Sequence, residues 1–241
     1  MKEATGIIPA RYGSQRFPGK PLALIQGKPM IQWVYERARQ ASLLQNVIIA
    51  TDDDRILEAC TAFGAEVRKT SPAHRSGTDR IAEVANSISS PIILNIQGDE
   101  PLLRGEMLDR LVEALQEESA PMATLAFKVE DLALQKDPHI VKVVIDQNGY
   151  ALYFSRSALP FNASEYFLRH IGIYGYQRDF LIEFSQWPAS RLEKEEGLEQ
   201  LRALERGHRI KIVLSSHLTL SVDTPQDIIR VEKFFSKGHH G

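Results

Sequence analysis

Short, wholly apolar runs alternate with amphipathic stretches through the first half of this 241-residue chain. Gly6-Ile7-Ile8, residues 46–51 (NVIIAT) and residues 91–97 (PIILNIQ) read as strands. Runs this short and this apolar suit strands buried on both faces, which is the condition of a parallel sheet. Between them, apolar residues recur at helical spacing, as in Ile31, Val34, Tyr35 and Ala38, or Leu108, Leu111, Val112 and Leu115. Asp52-Asp53-Asp54 opens a further helix that ends at Gly64. Three aspartates there are read as helix-start carboxylates suited to the dipole, ahead of a metal site. Glu66-Val67-Arg68 reads as another strand, and Ser76-Gly77-Thr78-Asp79-Arg80 as the start of the next helix, capped by Ser76 or Thr78. Strand–helix alternation of this kind predicts an α/β fold on a mostly parallel central sheet.

The second half has a different texture. Residues 122–129 alternate like a strand, and Asp146-Gln147-Asn148-Gly149 sits between two β-rich runs at 140–145 and 150–155. Asn-Gly in that setting predicts a hairpin. Residues 169–176 and 210–214 read as further strands, 192–206 as one charged helix, and Pro225 as the start of the last helix, with Asp223 a candidate cap. One domain is expected over 1–241: a nucleotide-binding front to about 130, an inserted β-rich lobe over 131–222, and a returning helix over 223–241.

Composition removes several classes of function. With 29 basic and 31 acidic residues the net charge is −2, which is no nucleic-acid footprint and no polybasic membrane patch. The single cysteine, Cys60, excludes an intramolecular disulfide and reads as a small buried hydrophobe. No apolar run approaches a membrane span, the first residues lead into a strand without a signal-like stretch, and a cytoplasmic location is expected.

The most specific segment is residues 9–21 (PARYGSQRFPGKP), a loop between the first strand and the first helix. Ligands of open α/β sheets bind at the carboxyl ends of strands. Arg11, Arg16 and Lys20 offer charge-assisted hydrogen bonds to phosphate oxygens, and the glycines let backbone amides approach an anion. Neither the Walker loop nor Gly-x-Gly-x-x-Gly occurs here. Asp99, in Gln97-Gly98-Asp99-Glu100-Pro101, follows another strand on the same sheet edge. Mg²⁺ with a nucleotide needs only one or two protein carboxylates, the rest being phosphate oxygens and waters.

These motifs together resemble the cytidylyltransferases that activate acidic sugars, and most closely the 3-deoxy-manno-octulosonate (KDO) branch, over nearly the whole chain. The resemblance implies a Rossmann-like nucleotidyltransferase fold with an inserted β-rich lobe, and transfer of CMP from CTP to KDO for lipopolysaccharide biosynthesis. It puts Ala10, Arg11, Ser14, Arg16, Lys20, Ser76, Thr78, Arg80 and Gln97 around the nucleotide. Arg11, Lys20 and Asp99 fall at the reacting phosphates. Asp99 is implied as a Mg²⁺ ligand, with Asp223 in Val222-Asp223-Thr224-Pro225 as a second.

On the acceptor side, Tyr153-Phe154-Ser155-Arg156, residues 167–176 and residues 198–202 match the family. Arg156 and His170 are candidates for the sugar carboxylate; Tyr174, Glu199 and Gln200 for its hydroxyls. His170 also reads as a satisfied strand histidine, Tyr174 as core, and Glu199 and Gln200 as a solvated helix face. The segment from Leu159 to Tyr166 is shorter than the family's and holds no arginine, so one cationic contact to the sugar has no residue there to supply it. A homodimer is implied by the family alone. The rival readings are a cytidylyltransferase for another acidic sugar, such as sialic acid, and an inactive nucleotide-sensing homologue.

Overall fold

The computed structural model describes residues 4–13, 17–117 and 119–236, which group into two compact units. One comprises 1–109 together with 219–241; the other comprises 110–218.

The first unit begins with β1 (Ala4–Ala10). A 3₁₀ turn at Lys20–Leu22 follows the loop after it, then the small ribbon of β2 (Leu24–Ile25) and β3 (Lys28–Pro29), which lead into α1 (Met30–Ala38). Next come β4 (Leu44–Thr51), α2 (Asp54–Ala62), β5 (Glu66–Lys69), α3 (Gly77–Ala85) and β6 (Ile92–Asn95). Helix α4 (Gly105–Gln116) carries the chain into the second unit. The strand order is β6-β1-β4-β5, with every pairing parallel. Ile7, Ile8, Ile49, Ile93 and Leu94 are fully buried. Side chains of this kind each contribute roughly 1.5–3 kcal/mol on burial.

Local chemistry explains the helix starts. The Asp53 carboxylate accepts from the Arg55 amide at 3.0 Å and so caps α2. Ser76 and Asp79 form a reciprocal capping box at α3. Cys60 is fully buried in α2, and desolvation pushes its thiol up to about 12, which makes it inert packing.

The second unit contains β7 (Met122–Val129), β8 (Lys142–Ile145), β9 (Ala151–Ser155), β10 (Phe167–Gln177), α5 (Arg178–Gln186), α6 (Arg191–Glu196), α7 (Leu201–Glu205) and β11 (Ile210–Ser215). β7 lies between β11, its parallel neighbour, and β10, its antiparallel one. β8 pairs antiparallel with both β9 and β10, and the β8–β9 pair is the hairpin expected from Asn148-Gly149. Helix α8 (Pro225–Ser236) then belongs to the first unit again, where Val231 and Phe235 pack with Ile25, Met30, Leu102 and Val222.

Three sequence expectations change. The charged stretch over 192–206 is two short helices, because Gly197 adopts φ +65° and ends α6. Glycine enters that left-handed conformation without the steric cost other residues meet. Asp227, rather than Asp223, serves the start of α8: its carboxylate accepts from the amides of Asp223 and Thr224 at 3.2 and 2.9 Å. Helix α5 was not anticipated, although Phe180, Leu181 and Phe184 form its buried stripe.

Lys142 organises the second unit. Its side chain is fully buried, and its ammonium donates to the carbonyls of Asp137 (3.0 Å), Ile140 (2.6 Å) and Arg156. All three donors of the ammonium are thus used on backbone. Lys142→Met keeps most of the volume but leaves these carbonyls without their donor. It should cost about 2–3 kcal/mol, read as a lowered urea midpoint at unchanged slope.

Candidate active site

In the first unit, the chain passes from β1 to β4 and β5 on one side and returns to β6 on the other. The carboxyl ends of β1 and β6 therefore flank a topological switch point, where open α/β sheets bind ligands. A cleft opens there. It encloses about 890 Å³ of empty space, open mouth included.

The sequence-predicted residues Ala10, Arg11, Lys20, Ser76, Arg80, Gln97, Asp99 and Asp223 all line this cleft. Thr78 is buried in α3 and is not among the lining residues. Ser14 and Arg16 lie outside the described residues. His74 also lines the cleft and was missed from sequence; its Nε2 pairs with Glu83. Arg80 is almost fully buried and holds Thr70 and Asp52, the latter at 3.2 Å. Its charge is anchored at the cleft wall.

The loop after β1 is folded back on itself. The Gly19 amide donates to the Tyr12 carbonyl at 2.9 Å, with Gly19 at φ +71°. A Cβ at Gly19 would stand 3.1 Å from the Tyr12 ring, so both conformation and space call for glycine. The turn aims Lys20 into the cleft. Its ammonium donates to Asp99 Oδ2 at 2.5 Å and to the Val222 carbonyl at 2.9 Å, and lies 3.6 Å from Asp223 Oδ1.

Asp99 and Asp223 come from segments far apart in the chain. The Val222 amide donates to the Asp99 carbonyl at 2.9 Å, and Ser221 Oγ donates to the buried Glu100 carboxylate at 2.5 Å. These bonds fix the two segments side by side. Both carboxylates reach the same Lys20 ammonium, so they face one point. Two hard oxygen ligands aimed at one point fit a divalent cation that draws its remaining ligands from phosphate and water. Among the described residues no group of three or more His, Cys, Asp or Glu side chains forms a metal cage.

In the second unit, β10 carries a bulge between Ile171 and Tyr174. Across it, His170 pairs with Ala126 and Tyr174 with Thr124, two positions apart on β7. The bulge therefore draws the two rings together, to 5.4 Å between centroids. Thr124 Oγ1 lies 2.8 Å from the Ile173 carbonyl and 3.0 Å from His170 Nε2.

The Tyr174 hydroxyl donates to Gln200 Oε1 at 3.1 Å. Gln200 is 2% exposed, and its Nε2 has no hydrogen-bond partner. Glu199 is half-buried, 3.6 Å from Arg202. Burial raises the Tyr174 phenol above its usual range, and the Glu199 charge adds to the shift. Arg156 sits at the end of α6 on the Glu196 and Pro138 carbonyls, both at 3.0 Å. So the fold joins His170, Tyr174 and Gln200 directly, with Glu199 close by, and anchors Arg156 through α6.

Burial pushes the His170 imidazole from 6.5 down to about 3. Folding thus favours its neutral form. The associated stability is fully present above the unfolded value of 6.5 and is lost as pH falls from there toward 3. His170 ring resonances should therefore stay flat across about pH 5–8, where a free histidine titrates; an NMR titration checks this.

The chain matches the Cytidylyltransferase family over residues 5–210. It is 52% identical over 232 residues to 3-deoxy-manno-octulosonate cytidylyltransferase of Syntrophobacter fumaroxidans, covering 92% of this chain and 93% of that one. Against the enzyme of the same name from Syntrophotalea carbinolica it is 48% identical over 241 residues, covering 95% and 96%. A solved structure of CMP:2-keto-3-deoxy-manno-octonic acid synthetase complexed with CTP superposes with a TM-score of 0.93 at 42% identity, over 98% of this chain and 99% of that one. The 4-diphosphocytidyl-2C-methyl-D-erythritol synthase of Anaerococcus prevotii shares the fold at TM-score 0.63 and 14% identity, over 98% and 99% of the two chains. With a family match over most of its length and relatives near half identical end to end, this chain belongs to the 3-deoxy-manno-octulosonate cytidylyltransferase family.

Proposed function

We propose that the protein transfers CMP from CTP to the anomeric hydroxyl of KDO, releasing pyrophosphate. The carrying observation is the cleft at the β1–β6 switch point, where Arg11 and Lys20 stand beside the paired carboxylates of Asp99 and Asp223. The named relatives supply the substrates.

Arg11 and Lys20 would take the β- and γ-phosphates by charge-assisted bonds, together with Arg16 and Ser14 of the same loop. Ala10, Ser76, Arg80 and Gln97 would line the nucleoside, and Thr78 would support them from within α3. Asp99 and Asp223 would hold Mg²⁺, which when bound supplies Lewis-acid polarisation of the α-phosphate. The anomeric oxygen forms a bond to the α-phosphorus as the bond to the bridging oxygen of pyrophosphate breaks. Such a reaction asks the protein mainly for positioning and charge neutralisation.

For the acceptor, Arg156 is the cation for the sugar carboxylate. His170, held neutral by burial, serves a hydroxyl. Tyr174 and Glu199 take further hydroxyls, and the unpartnered Nε2 of Gln200 is a donor awaiting one. A buried amide N–H without a partner costs about 1–3 kcal/mol, which a sugar oxygen would return. The same reading makes the protein a cytoplasmic homodimer, on the family's precedent; among the described residues no helix is long and apolar enough to cross a membrane.

Pyrophosphate release should require CTP, a divalent metal and KDO or a close analogue together. Equal turnover of UTP with glucose 1-phosphate would overturn the reading. Asp99→Asn should cost more activity than Asp223→Asn, and both should raise the Mg²⁺ needed for half-maximal rate. Because Asp227 serves the start of α8, Asp223→Asn should leave the melting temperature unchanged while it slows turnover. Glu199→Ala should weaken apparent sugar affinity by about tenfold or more, the cost of one hydrogen bond to a charged group. CTP affinity, measured by calorimetry without sugar, should stay at the wild-type value. Unchanged sugar affinity would make Glu199 an ordinary helix-face residue.

A further inference from the structure

Lys20 is expected to hold phosphate, yet its ammonium sits on the two carboxylates assigned to the metal. We propose that Lys20 is the resident counter-cation of the Asp99–Asp223 pair, and that it must leave the pair before a divalent cation can bind there, so that the nucleotide admits the metal. The inference rests on the cytidylyltransferase reading of the cleft and deepens it.

The contacts are specific. The ammonium donates to Asp99 Oδ2 at 2.5 Å and to the Val222 carbonyl at 2.9 Å, and faces Asp223 Oδ1 at 3.6 Å. Its side chain is only 15% exposed, against 46% for Asp223. This is the point at which both carboxylates converge. A divalent cation coordinated by them would stand within a few ångströms of the ammonium, in a partly desolvated cleft where repulsion between cations is weakly screened. The two occupants therefore exclude one another.

The way out for Lys20 is chemical. A lysine ammonium is a point charge on a flexible four-carbon stem and can move between anions without rebuilding its backbone. Its backbone is fixed by the Gly19 turn, and the same cleft wall carries Arg11. A triphosphate held there offers Lys20 several anionic oxygens. Once it transfers to them, the carboxylates lose this cation and become a stronger site for a divalent one. Nucleotide and metal are then coupled through one side chain, and the coupling is reciprocal. Before the nucleotide arrives, the lysine keeps the two carboxylates together and neutralised, so the pair is formed in advance.

Direct metal binding tests this without turnover. Mn²⁺ is titrated into the free full-length protein, without nucleotide or sugar, and followed by its electron paramagnetic resonance signal. Wild type should bind Mn²⁺ weakly. Lys20→Met should bind at least tenfold more tightly, and Asp99→Asn in the Lys20→Met background should abolish the gain. Lys20→Gln, which keeps a polar side chain, should also gain affinity and serves if the methionine variant folds poorly by circular dichroism. Equal Mn²⁺ affinity in wild type and in the folded lysine variants would overturn the proposal, as would a gain that survives Asp99→Asn. Calorimetry of CTP binding in the presence of Mg²⁺ separates the two levels. If CTP fails to bind wild type, the functional reading falls while the Mn²⁺ comparison still decides the role of Lys20. If CTP binds and Mn²⁺ affinity is unaltered, the inference about Lys20 falls alone.

Discussion

The parallel pairing of β1 with β4 on one side and β6 on the other is the constraint on which the first unit depends. β1 is buried almost throughout, and its register to both neighbours is set by residues such as Ile7, which faces Ile48 on one side and Asn95 on the other. A strand paired on both edges and covered on both faces cannot slip without exposing its apolar set. Its carboxyl end is therefore a fixed platform. The loop from Arg11 onward and the Gln97–Asp99 turn inherit their positions from it. The chemistry of the cleft is built on irregular backbone, but the irregular backbone starts from two adjacent, immobile strand ends.

Around that platform the charges are arranged in opposition. The cleft wall carries Arg11, Lys20 and Arg80 next to Asp99 and Asp223. Arg80 is committed to Asp52 and Thr70 and is part of the scaffold. Lys20 instead pairs with Asp99 and Asp223, the two carboxylates that face the cleft. In the second unit the arrangement is different: His170, Tyr174 and Gln200 form a neutral hydrogen-bonding cluster stiffened by aromatic packing.

Much of this was legible in the sequence because the signals were local. Apolar runs fixed the strands, Asn148-Gly149 the hairpin, and Ser76 with Asp79 the start of α3. The signature loop and Asp99 announced the cleft because both follow strands directly. What escaped depended on packing or on distant segments. Lys142 lies in a β-rich run that gives no hint of its burial, since the three carbonyls it satisfies come from a turn and a neighbouring strand. Asp223 looked like a cap because Pro225 follows it, and only the three-dimensional placement of Asp227 reassigns that task. His74 has no periodic or motif context, and its place at the cleft comes from the turn before α3. The helix break at Gly197 was readable from the glycine alone but was outweighed by the run of charged residues around it.

The chain order of the acid pair has a consequence for how the protein comes into being. Asp99 precedes the second unit and Asp223 follows it, because residues 110–218 are inserted into the first unit. During synthesis the parallel sheet and the basic loop emerge early, while the second carboxylate and helix α8 arrive only after residues 110–218. A fragment truncated before Thr219 would keep Arg11 and Lys20 but lack Asp223, the Val222 amide that registers Asp99, and the apolar stripe of α8 that covers Ile25 and Met30. The acid pair is thus assembled only from residues on both sides of the inserted unit, and neither side can form it alone.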